Sequence, residues 1–334
     1  MHREHEPVHA YPANVTYSNL IAENKRKSVF LVAIVIGLGI LVGCAAGVAL
    51  GARGSSSEDV IAAAIAGGIA FAFIASVATL WSWFGGAGAI LSMAGAQPIQ
   101  KSDDPQLFNV VEELAISGGM PMPAIYLIDD PSLNAFATGR DPAHAAVAIT
   151  TGLRQALTRD ELAGVMAHEL SHVRHYDIRL MMLMATLVGL IVFASDLTRR
   201  MMWFGGGSQR RSNRDNNGRG GNPLALIVML LGIVVLVIAP FVAMMLRFAI
   251  SRQREYLADA GAVELTRYPQ GLIGALEKLG ACREPLRRQN DAIAPLFIVN
   301  PAKNAVALGR QDASNVFSTH PALQDRINRL RALL

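Results

Sequence analysis

A chain of 334 residues with 52% hydrophobic residues, 17% charged residues and a mean hydropathy of +0.33 is too apolar for an ordinary soluble enzyme, and the excess points to membrane spans. The formal charge of +4 is small, and the basic residues sit beside apolar runs; this excludes a nucleic-acid surface and fits membrane-flanking charge. Cys44 falls in an apolar run and Cys282 in a polar region, so no disulfide is expected and a reducing compartment fits.

Residues 1–27 form a polar N-terminal tail. His2, His5 and His9 lie in it without regular spacing or a carboxylate cluster, so the first 24 residues read as a disordered leader and not as a metal-binding arm. The sequon at Asn14 and Thr16 matters only in a secretory lumen. Two transmembrane helices and a linker are expected over residues 28–96. Residues 29–52 and 60–84 carry no charge, and each run is long enough to cross about 30 Å of hydrocarbon as a helix. Lys25, Arg26 and Lys27 precede the first run, whereas the linker sets Arg53 against Glu58 and Asp59. The tail side is therefore cytoplasmic, and two crossings return the chain there.

Residues 97–178 turn globular. Helical apolar spacing covers 107–114, and β-like runs cover 124–128 and 145–150. Thr158 and Glu161 have capping-box spacing and begin a helix that contains His168, Glu169 and His172. Residues four apart share a helix face, so the two imidazoles can grip one ion while Glu169, on the flank, reaches a water on it. A catalytic zinc needs a third protein ligand and an open position.

Residues 179–250 read as a hydrophobic helical hairpin, the third and fourth candidate transmembrane helices. The second run, 224–246, is long enough to span despite Pro240. The first, 180–195, must recruit 196–204, with Arg199 and Arg200 snorkelling. Full crossing places a loop rich in arginine outside, against the positive-inside tendency, so a hairpin resting on the cytoplasmic surface is the rival topology; the four-span reading is preferred.

Residues 251–334 hold the second half of the site. Glu255 and Asp259 are four apart on a predicted helix, and Glu255 is assigned to the metal, Asp259 to the free N–H of a ligating imidazole. A solvated helix laced with ion pairs is the plainer alternative for this segment taken alone. Helix continues to 281, residues 290–311 read as irregular, and Pro321 opens a last helix with Leu323, Ile327 and Leu330 as its apolar stripe. Arg326 is a candidate to brace the site carboxylates, with an exposed ion pair as its rival. His175, three residues beyond His172, is read as a neighbour of the site and not as a ligand.

The blocks NAFATG at 134–139, HELSHVRHYD at 168–177, SRQREYLAD at 251–259 and FSTHP at 317–321, in this order and with apolar runs between them, resemble the M48 membrane-bound zinc metalloproteases, specifically the HtpX-type heat-shock proteases. The resemblance covers the chain from about residue 25 onward. It implies a gluzincin-type fold: an α+β, mainly helical integral membrane protein whose zinc helix lies beside a small β-sheet and whose metallopeptidase domain is split by the hydrophobic hairpin. It also implies one Zn2+ held by His168, His172 and Glu255. Along a sheet edge, Asn134, Ala135, Phe136, Thr138 and Gly139 would bind an extended substrate, although a simple core hairpin explains that pattern equally well.

The reaction expected is hydrolysis of a peptide bond, with Glu169 as general base. By resemblance, His320 is the first candidate to bind the oxyanion, with a surface helix cap as its rival; Tyr256 is the second candidate. Polypeptides, chiefly membrane proteins, and the lipid bilayer are the expected partners. The resemblance implies quality control of damaged membrane proteins under stress at a bacterial inner membrane, with the catalytic part in the cytoplasm. Alternatives are a CaaX-type processing peptidase and a non-catalytic scaffold with a structural zinc. A metal transporter fits poorly, because the spans lack ionisable clusters.

Overall fold

A computed structural model describes residues 17–51, 56–186, 252–282, 293, 296–298 and 321–333. The stretches 187–251 and 299–320, and with them the body of the predicted hairpin and His320, lie outside the described residues. The chain divides into two compact units, Met1–Ser28 with Trp83–Ala185 and Arg247–Leu334, and Val29–Ser82 with Thr186–Leu246.

Two long helices, α1 (Tyr17–Gly51) and α2 (Ser57–Ala94), give the second unit their residues 29–51 and 57–82. Among the described residues, α2 is the one helix long and apolar enough to cross a membrane. Its large side chains Ile61, Ile65, Ile69, Phe73 and Leu80 point outward, as lipid contact requires and a soluble core forbids. The two helices touch through glycine. A Cβ on Gly43 would overlap the carbonyl oxygen of Gly67, so the backbones approach as closely as small residues in membrane helices allow.

α1 begins at Tyr17, inside the stretch read as a disordered leader. Residues 17–24 are helical, and Asn24 is buried in the first unit at 2% exposure, which corrects that expectation from Tyr17 onward. The amphipathic start of the helix carried no obvious apolar period, because what it buries is polar.

The first unit is α+β and mainly helical. Its sheet has four strands in the order β1-β2-β4-β3, where β1 is Ala96–Pro98, β2 Ala124–Ile128, β3 Ala135–Gly139 and β4 Ala145–Thr150. β2 and β4 run parallel, and the outer pairs are antiparallel. Thr150 closes the β3–β4 end: its hydroxyl accepts from Asn134 N–H and donates to the Ser132 carbonyl. β3 was placed by resemblance, and β2 and β4 were legible from their apolar runs. β1 was not, since three residues beside a long helix carry no period.

Helix α3 (Pro105–Ser117) starts where Asp104 accepts the Leu107 N–H and Pro105 fills the first turn. After the short α4 (Thr151–Ala156), α5 (Arg159–Arg174) starts at the predicted capping box: Thr158 accepts from the Glu161 N–H, and Glu161 accepts from the Thr158 N–H. Leu162, Val165, Met166, Ala167 and Leu170 bury α5 in the main core, together with Leu107 and Val111 of α3 and Val147 and Ile149 of β4.

Beyond residue 251, the helix expected to continue to 281 is two helices, α6 (Arg252–Thr266) and α7 (Pro269–Ala281). The break falls at Arg267, in the left-handed region at φ 55°, just before Pro269, which cannot extend a helix from its N-terminal side. The last described helix, α8 (Leu323–Arg331), starts two residues after Pro321 instead of on it. Its buried face is Arg326, Ile327 and Leu330, so an arginine joins the expected apolar stripe.

Candidate metal centre

α5 and α6 carry the site, and a glycine lets them meet. A Cβ on Gly261 of α6 would collide with the Ser171 hydroxyl of α5. Pressed together, the helices bring His168, His172 and Glu255 to one point, with one ligand atom from each lying within 4.8 Å of the others. The Nε2 atoms of His168 and His172 are each 3.8 Å from a Glu255 oxygen, one from Oε2 and the other from Oε1. The two rings stand edge to face, with centroids 4.8 Å apart.

Each imidazole is held from behind by its Nδ1. Asp259 Oδ1 lies 2.9 Å from His168 Nδ1, and Asp177 Oδ2 lies 2.9 Å from His172 Nδ1. A carboxylate on Nδ1 places the proton there and leaves Nε2 as a lone-pair donor facing Glu255, the tautomer a metal requires. Asp259 was expected in this role. Asp177 was missed, although it ends the sequence block that holds the first two ligands: it lies past the helix, where four-residue spacing gives no guide.

Arg326 is fully buried, which rejects the exposed ion pair. Its Nε and Nη2 bind the two oxygens of Asp259 at 2.9 and 2.6 Å, and its Nη1 stands 3.8 Å from Glu255 Oε2. Burial works against its charge, but Asp259 holds the guanidinium firmly protonated. On the other side, Arg254 lies 3.4 Å from Asp177.

The donor set suits a divalent cation. Two imidazole nitrogens and a carboxylate converge, and four carboxyl groups (Glu169, Asp177, Glu255 and Asp259) surround the point against two guanidiniums, leaving negative charge for a cation to balance. Burial opposes a charged His172, yet the Asp177 hydrogen bond and the charge of Glu255 push its pKa up to about 9, a measure of the same negative field. His168 is carried the other way, by burial and by Arg326.

Glu169 is buried on the same helix as His168 and His172. Burial raises its carboxyl to about 7, with Glu255 adding to the rise and His172 opposing it. β3 is an edge strand of the sheet, and Ile298 N–H already occupies the Ala135 carbonyl. Ala135, Phe136, Ala137, Thr138 and Gly139 are all buried, and Phe136 packs edge-on against Phe297. The side chains of this strand therefore face the interior, which leaves its backbone as the part open to pairing. Asn134 is buried at the strand's start, its side-chain oxygen accepting from Ala135 N–H.

His175 is buried next to the ligands and outside the converging set, as expected of a neighbour. Tyr256 lies beneath the Arg329 guanidinium, 3.9 Å from its ring centroid.

The model of peptidase family M48 matches residues 101–334, which contain every ligand of this centre. The chain belongs to peptidase family M48. It is a metalloprotease. Curated relatives named "Protease HtpX homolog" run along nearly its whole length: the one from Ligilactobacillus salivarius is 44% identical over 93% of this chain and 97% of its own, and that from Streptococcus uberis 43% over 93% and 98%. The one from Dictyoglomus turgidum is 42% identical over 95% of both chains. Among solved structures, the crystal structure of S. mikatae Ste24p matches 94% of this chain and 67% of its own, at 19% identity and a TM-score of 0.45.

Proposed function

We propose that this M48 protease is a membrane-bound zinc endopeptidase whose ion is held by His168, His172 and Glu255. The observation that carries the reading is the convergence of those three side chains within 4.8 Å, with both imidazoles turned by carboxylates so that Nε2 faces inward. When bound, the ion lowers the pKa of a water and polarises the scissile carbonyl.

The remaining work falls to the protein. Glu169 takes a proton from the attacking water and returns it to the leaving amine, so that water is consumed and one peptide bond becomes a carboxylate and an amine. An extended polypeptide would lie along β3, an edge strand of the sheet. Asp259 and Asp177 hold the imidazoles, and Arg326 keeps Asp259 ionised and in place. His320 is proposed to meet the oxyanion, on the strength of its sequence block alone.

The substrates proposed are damaged or misassembled membrane proteins, cleared under stress at the cytoplasmic face of a bacterial inner membrane. Support comes from the outward apolar side chains of α2 and from the basic cluster Lys25, Arg26 and Lys27 ahead of the uncharged run in α1. The deciding experiment uses the full chain in detergent: metal content by mass spectrometry together with cleavage of casein and of a detergent-solubilised membrane protein, for wild type and Glu169→Gln. Wild type should hold one zinc and cut; Glu169→Gln should hold one zinc and lose about 100-fold or more in rate. Undiminished cleavage by Glu169→Gln would refute the base, and a wild type that takes up no zinc would refute the centre.

A further inference from the structure

Asn24 lies on α1, ahead of the uncharged run that begins at Val29, yet its buried side chain is spent on residues just after α5 and on Arg254 of α6. Its Nδ2 donates to Asp177 Oδ1 at 2.6 Å and to the His175 carbonyl at 2.9 Å. Its Oδ1 accepts from Arg254 at 3.3 Å. These partners fix the amide's orientation, since the reverse setting would turn an oxygen toward two acceptors and an NH2 toward a guanidinium. The other oxygen of Asp177, Oδ2, holds His172 Nδ1. A chain of hydrogen bonds thus runs from α1 through one carboxylate to a metal ligand, with all three side chains in the first compact unit.

The surrounding contacts anchor the helix at this point. Lys25 lies 4.4 Å over the ring of Tyr176, which also stacks with Arg179, and Tyr176 itself sits in the left-handed region at φ 62°. Ser28 donates to the Asn24 carbonyl. The Asn24 amide shares Asp177 Oδ1 with Arg254, which lies 3.4 Å from it, and its 2.6 Å hydrogen bond is the shorter of the two contacts that pin the rotation of the carboxylate.

We propose that Asn24 is a positioning residue of the metal centre, which by holding Asp177 sets the orientation of His172 and so the zinc affinity of the site. The inference rests on the zinc reading above. The experiment separates the two, because wild-type zinc binding tests that reading and the variants test this one.

Full-length wild type, Asn24→Ala, Asn24→Asp and Lys25→Ala are purified in detergent, and zinc dissociation constants are measured by competition with a chromogenic chelator, alongside the thermal midpoint of each zinc-stripped protein. Asn24→Ala should weaken zinc binding about 10- to 100-fold, as loss of an outer partner of a ligand does. Asn24→Asp, nearly isosteric but setting one carboxylate against another, should weaken it further. Lys25→Ala removes a neighbouring contact of the same helix without touching Asp177, and should lower the midpoint while leaving the dissociation constant within about twofold of wild type.

The proposal falls if either Asn24 variant binds zinc as wild type does, or if Lys25→Ala loses affinity as much as Asn24→Ala, since the effect would then be helix docking in general. It also falls if neither Asn24 variant folds with or without zinc, because Asn24 would then be a folding residue.

Discussion

Arg326 and Asp259 meet through two parallel hydrogen bonds, 2.6 and 2.9 Å long, in a place closed to solvent. Asp259 spends the same carboxylate on His168, so the orientation of a metal ligand depends on a guanidinium on the last described helix.

Removing that guanidinium strands a buried carboxylate. Arg326→Met should cost about 3–5 kcal/mol of stability, read as a lower midpoint in thermal or denaturant unfolding, and should reduce zinc retention. Arg326→Lys should not rescue it, because an ammonium cannot make the planar two-point contact. A lysine variant with wild-type stability and zinc content would remove the bracing role.

Glu255→Ala deletes the carboxylate on which both Nε2 atoms converge. Metal analysis should show little or no zinc retained after dialysis, and activity should vanish with it. A variant that keeps one zinc per chain would mean that the third ligand lies elsewhere.

The pH dependence of stability should have an acid limb owed to Asp104. Burial alone would raise this carboxyl, but Arg154, at 2.5 and 2.9 Å, and the Leu107 N–H carry it below its ordinary value of 3.8. A depressed carboxylate stabilises the fold in full above its unfolded pKa, and the contribution is lost as pH falls through the lower, folded value. The thermal midpoint of wild type should therefore drop below pH 3.8 more steeply than that of Asp104→Asn, which should start lower at neutral pH. Parallel curves for the two proteins would contradict the assignment.

Gly261→Val should push α6 off α5, since even a Cβ there meets Ser171. Because Glu255 rides on α6 and the imidazoles on α5, the expected result is weaker zinc binding together with a lower melting midpoint, by about 1–3 kcal/mol of overpacking. Unchanged zinc affinity would show that the metal site tolerates a wider helix spacing.

Much of this centre could be read from the chain. His168 and His172 share a face because of helical period, and Glu255 and Asp259 follow from the same rule one segment later. Arg326 was legible only as a possibility, because nothing local distinguishes a buried arginine from an exposed one. Asp177 and Asn24 were not legible at all. One opens the helical stretch that follows the turn at residues 175–176 and the other lies on a distant helix, and both act through tertiary contacts that no periodicity encodes. β2 and β4 were found by their apolar runs, whereas β3 was placed by resemblance, β1 was missed, and the order β1-β2-β4-β3 depends on pairings that the runs do not specify. The break between α6 and α7 was missed, although Pro269 marked it.

The metal-binding helix and the arginine behind it are separated by 158 positions. A ribosome delivers the first imidazole long before it delivers Arg326, and the carboxylate ligand arrives between them. Until that arginine emerges, Asp259 has His168 beside it but lacks the two-point guanidinium contact, so the buried carboxylate behind the imidazole is braced only once the last described helix is made.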